Sequence, residues 1–277
     1  MNDKVEKIGS SLIQHGKFND RIYLMKLNNA DHPEILSRLD NLAKNNNYSK
    51  IFAKIRERYL QDFLDQEYQI EASIPAFFKN GDKAYFLGKF YSEDRKNIIR
   101  RERIEKVIEV AESKKRIEKA PPIDSPYKFK IAGKQDAEKM VAVYKNVFPT
   151  YPFPIHDSDY IRQTMEENII YFSIWEDDKL VALSSAEMDK EEKNVEMTDF
   201  ATLPEYRGNG FALFLLDRME EKMDELGINT FYTIARAVSF GMNITFARLG
   251  YEYTGTLKNN TNISGNIESM NIWYKLP

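Results

Sequence analysis

Two hydrophobic rhythms alternate along the chain, and their order predicts the fold. Alternating apolar positions mark strands over residues 22–27, 50–55, 68–78 and 84–91. Helical spacing runs through residues 33–44, with Ile35, Leu36, Leu39, Leu42 and Ala43 on one side, and more briefly through 58–66. Asp31 is placed to cap the first of these helices, and Pro33 falls in the first turn, where a missing N–H costs little. Asn80-Gly81-Asp82 between two apolar runs predicts a hairpin turn. Residues 1–20 are weakly patterned and read as an irregular lead-in.

The second half carries strands at 127–132, 169–176, 179–188, 195–203, 230–235, 251–257 and 267–275, with helices at 137–147, 158–167 and 240–249 and another after Gly210. Residues 195–275 run strand, helix, strand, helix, strand, strand. That is also the order of the first ninety or so residues, so the first unit is expected to be a smaller, degenerate half of the same α/β, mixed-sheet fold. Between them, residues 93–119 combine dense Arg, Lys and Glu with Ile98, Ile99, Ile104, Val107, Ile108 and Ala111 at helix-like spacing. This predicts one long, solvent-bathed helix, ended by Pro121-Pro122. The expected division is residues 1–92, a connector over 93–122, and a main unit over 123–277.

Composition narrows the function. Apolar residues make up 42% and charged residues 30% of the 277 residues, and no apolar run is long enough to cross a membrane. The polar N-terminus does not read as a secretory signal, and together with the absence of cysteine this points to the cytoplasm and excludes a thiolate nucleophile. A net charge of −3 with interspersed signs lacks the footprint of a nucleic-acid binder. His15, His32 and His156 are scattered without metal-ligand spacing, so no metal is expected.

The candidate chemistry gathers in residues 196–216, EMTDFATLPEYRGNGFALFLL, which read as strand, glycine turn and helix. Gly208 and Gly210 allow close approach of a ligand to the backbone, and the helix start behind them offers free N–H groups to an anion such as a phosphate. The turn resembles the signature of the GNAT acyl-CoA N-acyltransferases, Gln/Arg-x-x-Gly-x-Gly/Ala. Glu205 departs from its first position, while Arg207, Gly208, Gly210 and Ala212 fit a broader form. The resemblance implies a GNAT fold in the second unit and acetyl-CoA as cosubstrate. It also implies a pyrophosphate cradle of Arg207, Gly208, Asn209, Gly210, Phe211 and Ala212. Backbone of Phe200, Ala201 and Thr202 would hold the thioester carbonyl, and Asn243 and Phe246 would flank the cofactor. The counterpart turn in the first unit, residues 28–33, has no glycine and an acidic residue, so it is not expected to bind coenzyme A.

Acetylating an amine requires removing a proton from an ammonium group with a pKa near ~10.4, a task for a carboxylate whose own pKa is raised by burial. By position in the family Glu196 corresponds to the general base, with Asp199 second. Strand alternation sets the two on opposite faces unless a bulge intervenes, and the resemblance implies a bulge there. Glu187 sits near the end of the neighbouring strand. The proline- and aromatic-rich loop over 148–155, which includes Tyr151, is expected to overhang the acceptor. The family's usual tyrosine acid is replaced by Phe246, which leaves that role to Tyr232, Tyr251 or no residue.

Longer words, YPFPIHDSDY, ALSSAEMD, YTIARA and NNTNISGNIESMNIWYK, resemble the β-lysine N-acetyltransferases over nearly the whole chain. That implies acetylation of the side-chain amine of L-β-lysine to N-epsilon-acetyl-β-lysine, a compatible solute. For such a substrate Arg236 is a candidate carboxylate partner, and Asn260, Glu268 and Asn271 are candidates for the ammonium. Two rival readings stay open: a GNAT enzyme for a polyamine, lysine or protein amine, and a non-catalytic coenzyme A sensor. A homodimer is also left open.

Overall fold

The computed structural model describes residues 3–277 and contains two mixed sheets. The first is built from β1 (Lys4–Ile8), β2 (Ser11–Gly16), β3 (Arg21–Lys26), β4 (Lys50–Arg56), β5 (Gln69–Ile74) and β6 (Ala84–Phe90), in the order β1-β2-β3-β4-β6-β5. Helices α1 (Ile35–Asn46) and α2 (Leu60–Leu64) belong to it. The second sheet contains β7 (Tyr127–Ile131), β8 (Ile169–Glu176), β9 (Lys179–Asp189), β10 (Asn194–Thr202), β11 (Thr230–Arg236), β12 (Glu252–Ile263) and β13 (Asn266–Lys275), ordered β12-β13-β11-β10-β9-β8-β7. Its helices are α5 (Ala137–Val147), α6 (Ser158–Glu167), α7 (Phe211–Glu225) and α8 (Phe240–Arg248).

The expected mixed α/β architecture is present, and the repeat is more complete than a half. Strands β1 to β6 reproduce β8 to β13 pairing for pairing. In both, the third strand is parallel to the fourth, and every other neighbour is antiparallel. β4 and β11, KIFAKIR and TFYTIAR, share one burial pattern from end to end. The stretch expected to be an irregular lead-in therefore supplies β1 and β2, the counterparts of β8 and β9. Alternation missed them for a physical reason. β1 (KVEKI) is a charged edge strand, and β2 buries the polar Gln14 and His15, whose partners are the Pro152 carbonyl at 2.9 Å and the Tyr48 hydroxyl at 3.0 Å.

The long connecting helix is also corrected. It is broken into α3 (Glu93–Lys96) and α4 (Arg101–Glu112), with Arg100 between them at φ 60°. The Asn259 side-chain amide donates to the carbonyls of Asp94, Arg95 and Asn97, taking up the acceptors that another helical turn would need. α4 then turns its Ile104, Val107 and Ala111 seam to α8.

α7 packs on one face of the second sheet through Leu215, Leu216, Met219 and Met223, and α5 on the other through Met140, Val143 and Tyr144. Beside α5 on that second face, the first sheet closes in. Tyr23, Phe52, Phe77 and Phe86 pack with Tyr232, Leu257, Met270 and Ile272 into a core shared by both sheets. The polar seam follows the second half of β12. Glu71 accepts from the buried Lys50 ammonium and from the Lys258 backbone N–H, each at 2.7 Å, and Lys50 also donates to the Lys258 carbonyl at 2.8 Å. Asn262 bonds both the Phe18 carbonyl and the Asn19 side chain.

Gly255 marks a close approach of the units, since a Cβ there would lie 2.0 Å from the Glu71 carbonyl oxygen and 2.9 Å from Ala72. Gly255→Val should therefore separate the sheets and cost roughly 3 kcal/mol or more, lowering the thermal midpoint by several degrees. An unchanged midpoint in thermal unfolding would contradict this seam.

Candidate active site

β10 and β11 pair in parallel only over Asn194↔Thr230 to Glu196↔Tyr232, and beyond that point they splay. On its other edge β10 loses register with β9 between Thr198 and Ala201. The expected bulge is thus present, and within it Asp199 sits at φ 55°. A left-handed aspartate costs about 1 kcal/mol, which its contacts offset: Ser185 Oγ donates to it at 2.6 Å, and the Tyr151 hydroxyl and Thr198 also bond it.

Two cavities meet at this splay. A groove of about 670 Å³ is lined by Thr198, Asp199, Phe200, Thr202, Arg207, Gly208, Gly210, Phe211, Ala212, Met242 and Phe246. A second cavity of about 500 Å³ lies between the two units, lined by Arg21, Tyr23, Phe52 and Lys54 of the first and Tyr160, Tyr171, Glu187, Glu196, Tyr232 and Asn260 of the second. Tyr151, Thr198, Asp199, Ile234, Ile263 and Met270 line both.

In the groove the glycine turn is as expected. Gly208 and Gly210 have φ 92° and 75°, and a Cβ on either would point into open space. The turn's backbone therefore faces the groove bare, and α7 begins directly behind it with no side-chain cap for its first N–H groups. These features fit a diphosphate. Asn209 turns away, its amide donating to the Tyr206 carbonyl, and the Ala201 side chain is buried in the core. Phe246 is fully buried and packs edge-on against Phe200, with ring centroids 5.6 Å apart. Tyr251 lies behind Phe246 and reaches neither cavity.

In the second cavity the bulge brings Glu196 and Asp199 onto one wall with Glu187, which faces Glu196 across the β9–β10 pair. Burial and the neighbouring Glu187 push the Glu196 carboxyl up to about 8, against the opposing pull of Lys54 and a hydrogen bond from Tyr232. Burial raises Glu187 and Asp199 as well. Lys54, inserted from the first unit, has its Nζ 3.5 Å from the Tyr232 hydroxyl, and burial lowers its pKa. A cluster of carboxyls raised by burial around one open space suits the acceptance of a proton near neutral pH.

Four residues expected to bind ligand are already engaged within the protein. Arg236 forms a two-point ion pair with Glu268, at 2.8 and 2.7 Å, and does not line the second cavity. The repeat has a counterpart: Arg56 occupies the equivalent last position of β4 and bonds Asp82 through one nitrogen at 3.1 Å, its other terminal nitrogen going to Glu192, so an arginine-carboxylate bridge recurs in both sheets. Asn243 bonds the carbonyls of Arg236 and Ser239 through its amide nitrogen, and accepts from Asn271 and Trp273 through its oxygen. Asn271 also accepts from Thr256, which completes a buried network. Asn260 does line the cavity, while its carbonyl accepts from Arg21.

The first unit's contribution was not anticipated. Arg21, Tyr23, Phe52 and Lys54 form a wall of the second cavity, and by strand register Tyr23 and Phe52 stand where β10 and β11 carry Glu196 and Tyr232. A lysine and an arginine within otherwise apolar strands were the available signal.

Known proteins agree with this geometry. Residues 139–251 match the acetyltransferase (GNAT) family. The chain is 44% identical to a β-lysine N(6)-acetyltransferase of Methanococcus maripaludis, over 99% of both chains. It is 39% identical to one of Methanosarcina mazei over 59% of this chain and 60% of that one. With the N-acetyltransferase YodP of Bacillus subtilis it shares 32% identity over 96% of each. The bulged strand, the glycine turn and a full-length relative at this identity together make the protein a member of the GNAT acetyltransferase family, an acetyl-CoA-dependent N-acetyltransferase.

Proposed function

We propose that this protein transfers the acetyl group of acetyl-CoA to the side-chain amine of L-β-lysine, giving N-epsilon-acetyl-β-lysine. The observation that carries the reading is the junction of groove and acceptor cavity at Thr198 and Asp199, with Glu196 on the acceptor side. The substrate is supported by the β-lysine N(6)-acetyltransferase that shares 44% identity from end to end. A zwitterionic acetylated amino acid suits a compatible solute made in the cytoplasm. Among the described residues no helix is long and apolar enough to cross a membrane.

Acetyl-CoA supplies an activated thioester whose sulfur departs as a thiolate. Arg207 and the bare backbone of Gly208 and Gly210 would hold its diphosphate, with the pantetheine arm entering where β10 leaves β11. There the β10 backbone past Glu196 has no β11 partner and can donate to the developing oxyanion. Glu196 accepts the ammonium proton, the amine attacks the thioester carbon, and collapse of the tetrahedral intermediate breaks the C–S bond while the nitrogen's second proton passes to the departing thiolate, giving free thiol and amide. Asp199, held by Ser185 and Tyr151, fixes the bulge and lends negative charge. Phe246 stands where the family resemblance implies a tyrosine acid. A thiolate whose conjugate acid resembles that of a free thiol, near ~8.5, leaves without a strong acid beside it.

Thiol release from acetyl-CoA, followed with L-β-lysine, lysine and polyamines, tests the reading; L-β-lysine should give the highest kcat/KM. Turnover of none of them alongside tight coenzyme A binding would favour the sensor instead.

Glu196→Gln should lower kcat by at least about 100-fold with little change in the KM for acetyl-CoA. Glu196 works only when ionised, so wild-type kcat/KM should rise as pH passes about 8. That step should vanish in the variant, leaving only the amine's own ionisation, and its survival would remove Glu196 from the role. The raised pKa also has a stability consequence. The unfolded chain ionises this carboxyl at lower pH than the fold does, so folding loses stability as pH rises from the ordinary glutamate range towards about 8. Glu196→Gln should accordingly gain thermal stability relative to wild type over that interval, and a constant difference in midpoint would contradict it. Gly208→Val places a branched side chain in the groove at φ 92° and should abolish coenzyme A binding by calorimetry; retained binding would contradict the cradle.

A further inference from the structure

The acceptor cavity is electrically two-ended. Glu187, Glu196 and Asp199 make one end acidic. At the other, Arg21 is nearly fully buried at 4% exposure, and among the described residues no carboxylate lies within ion-pair distance of it. One terminal nitrogen donates to the Asn260 carbonyl at 2.5 Å and to Thr261 Oγ1 at 3.2 Å, while its buried Nε has no partner and its second terminal nitrogen donates to no described acceptor. Arg95 and Lys50 stand behind it. Arg95 donates to the Asn19 carbonyl and lies 3.9 Å from the half-buried Asp20, and Lys50 is paired with Glu71 at 2.7 Å. Three buried cations thus face one buried and one peripheral carboxylate.

A guanidinium taken out of water without a counter-charge is costly, and the rings of Tyr23 and Phe52, about 5.5 Å from it, compensate only in part. The arrangement becomes favourable when an anion completes it. Arg21 and Tyr23 project to the same side of β3, about 6.6 Å apart along the strand, so an anion at Arg21 belongs to a ligand lying along the cavity towards Glu196. Lys54 is the rival cation, but it stands beside Glu187 and Glu196 at the acidic end of the cavity, away from the end that lacks a carboxylate. Arg236, the expected carboxylate partner, is occupied by Glu268.

We infer that Arg21, from the first unit, binds the carboxylate of the amino-acid acceptor and sets specificity for an amino acid over a diamine. The inference rests on the reading of the acceptor as β-lysine and adds what the first unit does for it. The first sheet has no glycine turn in the place of the cofactor site and supplies a substrate anchor instead, so the acceptor is clamped between the two copies.

The test compares wild type, Arg21→Gln and Arg21→Lys on L-β-lysine and on 1,4-diaminopentane, the same diamine skeleton with hydrogen in place of the carboxylate. The ratio of kcat/KM for the two substrates should fall by roughly 30-fold or more in Arg21→Gln, mainly through the KM for β-lysine, with the KM for acetyl-CoA unchanged. Arg21→Lys, which keeps the charge and loses the fork, should fall between. It also serves as the test if Arg21→Gln fails to fold. An unchanged ratio, or equal loss on both substrates, would overturn the assignment while leaving the acetyltransferase reading intact. No turnover of β-lysine by wild type would overturn both.

Discussion

The separation of β10 from β11 after Glu196 and Tyr232 is the constraint from which the site follows. Parallel strands that stayed paired would seal the sheet, leaving the groove on one side and the acceptor cavity on the other with no passage between them. The bulge at Thr198 to Ala201 turns β10 aside, and Asp199 at φ 55° holds it there through Ser185 and Tyr151. The same turn of the chain that opens the passage brings a second carboxylate to the wall already carrying Glu196. Geometry and electrostatics therefore share one cause, a bulge held in an unfavourable backbone conformation by buried hydrogen bonds.

Duplication explains much of the rest. The two sheets share their strand order and pairing directions, and an arginine-carboxylate bridge recurs at the same place in each, as Arg56 with Asp82 and Arg236 with Glu268. One copy keeps the glycine turn and the acidic strand. The other replaces the turn with residues 28–33 and the acidic position with Tyr23, which stacks on Phe52 with centroids 4.5 Å apart. Facing each other, the copies bury an aromatic core and leave between them a cavity that neither sheet could enclose alone.

Local rules were enough to read the groove and the main elements. Gly208 and Gly210 announce their backbone conformation by having no Cβ, and helices such as α5 and α6 carry their periodicity openly. What escaped was decided by tertiary partners. β2 buries Gln14 and His15 because Pro152 and Tyr48 are there to bond them, and the connecting helix stops because Asn259 arrives from another sheet. Arg236 looked like a carboxylate receptor because nothing local reveals that Glu268 lies opposite it on β13. The asparagine run near residue 260 is likewise largely a seam between units, and of its members Asn260 and Thr261 line the cavity.

On the proposed function, cofactor and acceptor meet through the opening beside Asp199. A crystal structure with coenzyme A and β-lysine tests it most directly. The pantetheine arm is expected between β10 and β11, its sulfur beside Thr198 and Asp199, and the acceptor's side-chain nitrogen within reach of Glu196. A pantetheine arm lying elsewhere, with β10 and β11 closed against each other, would contradict it.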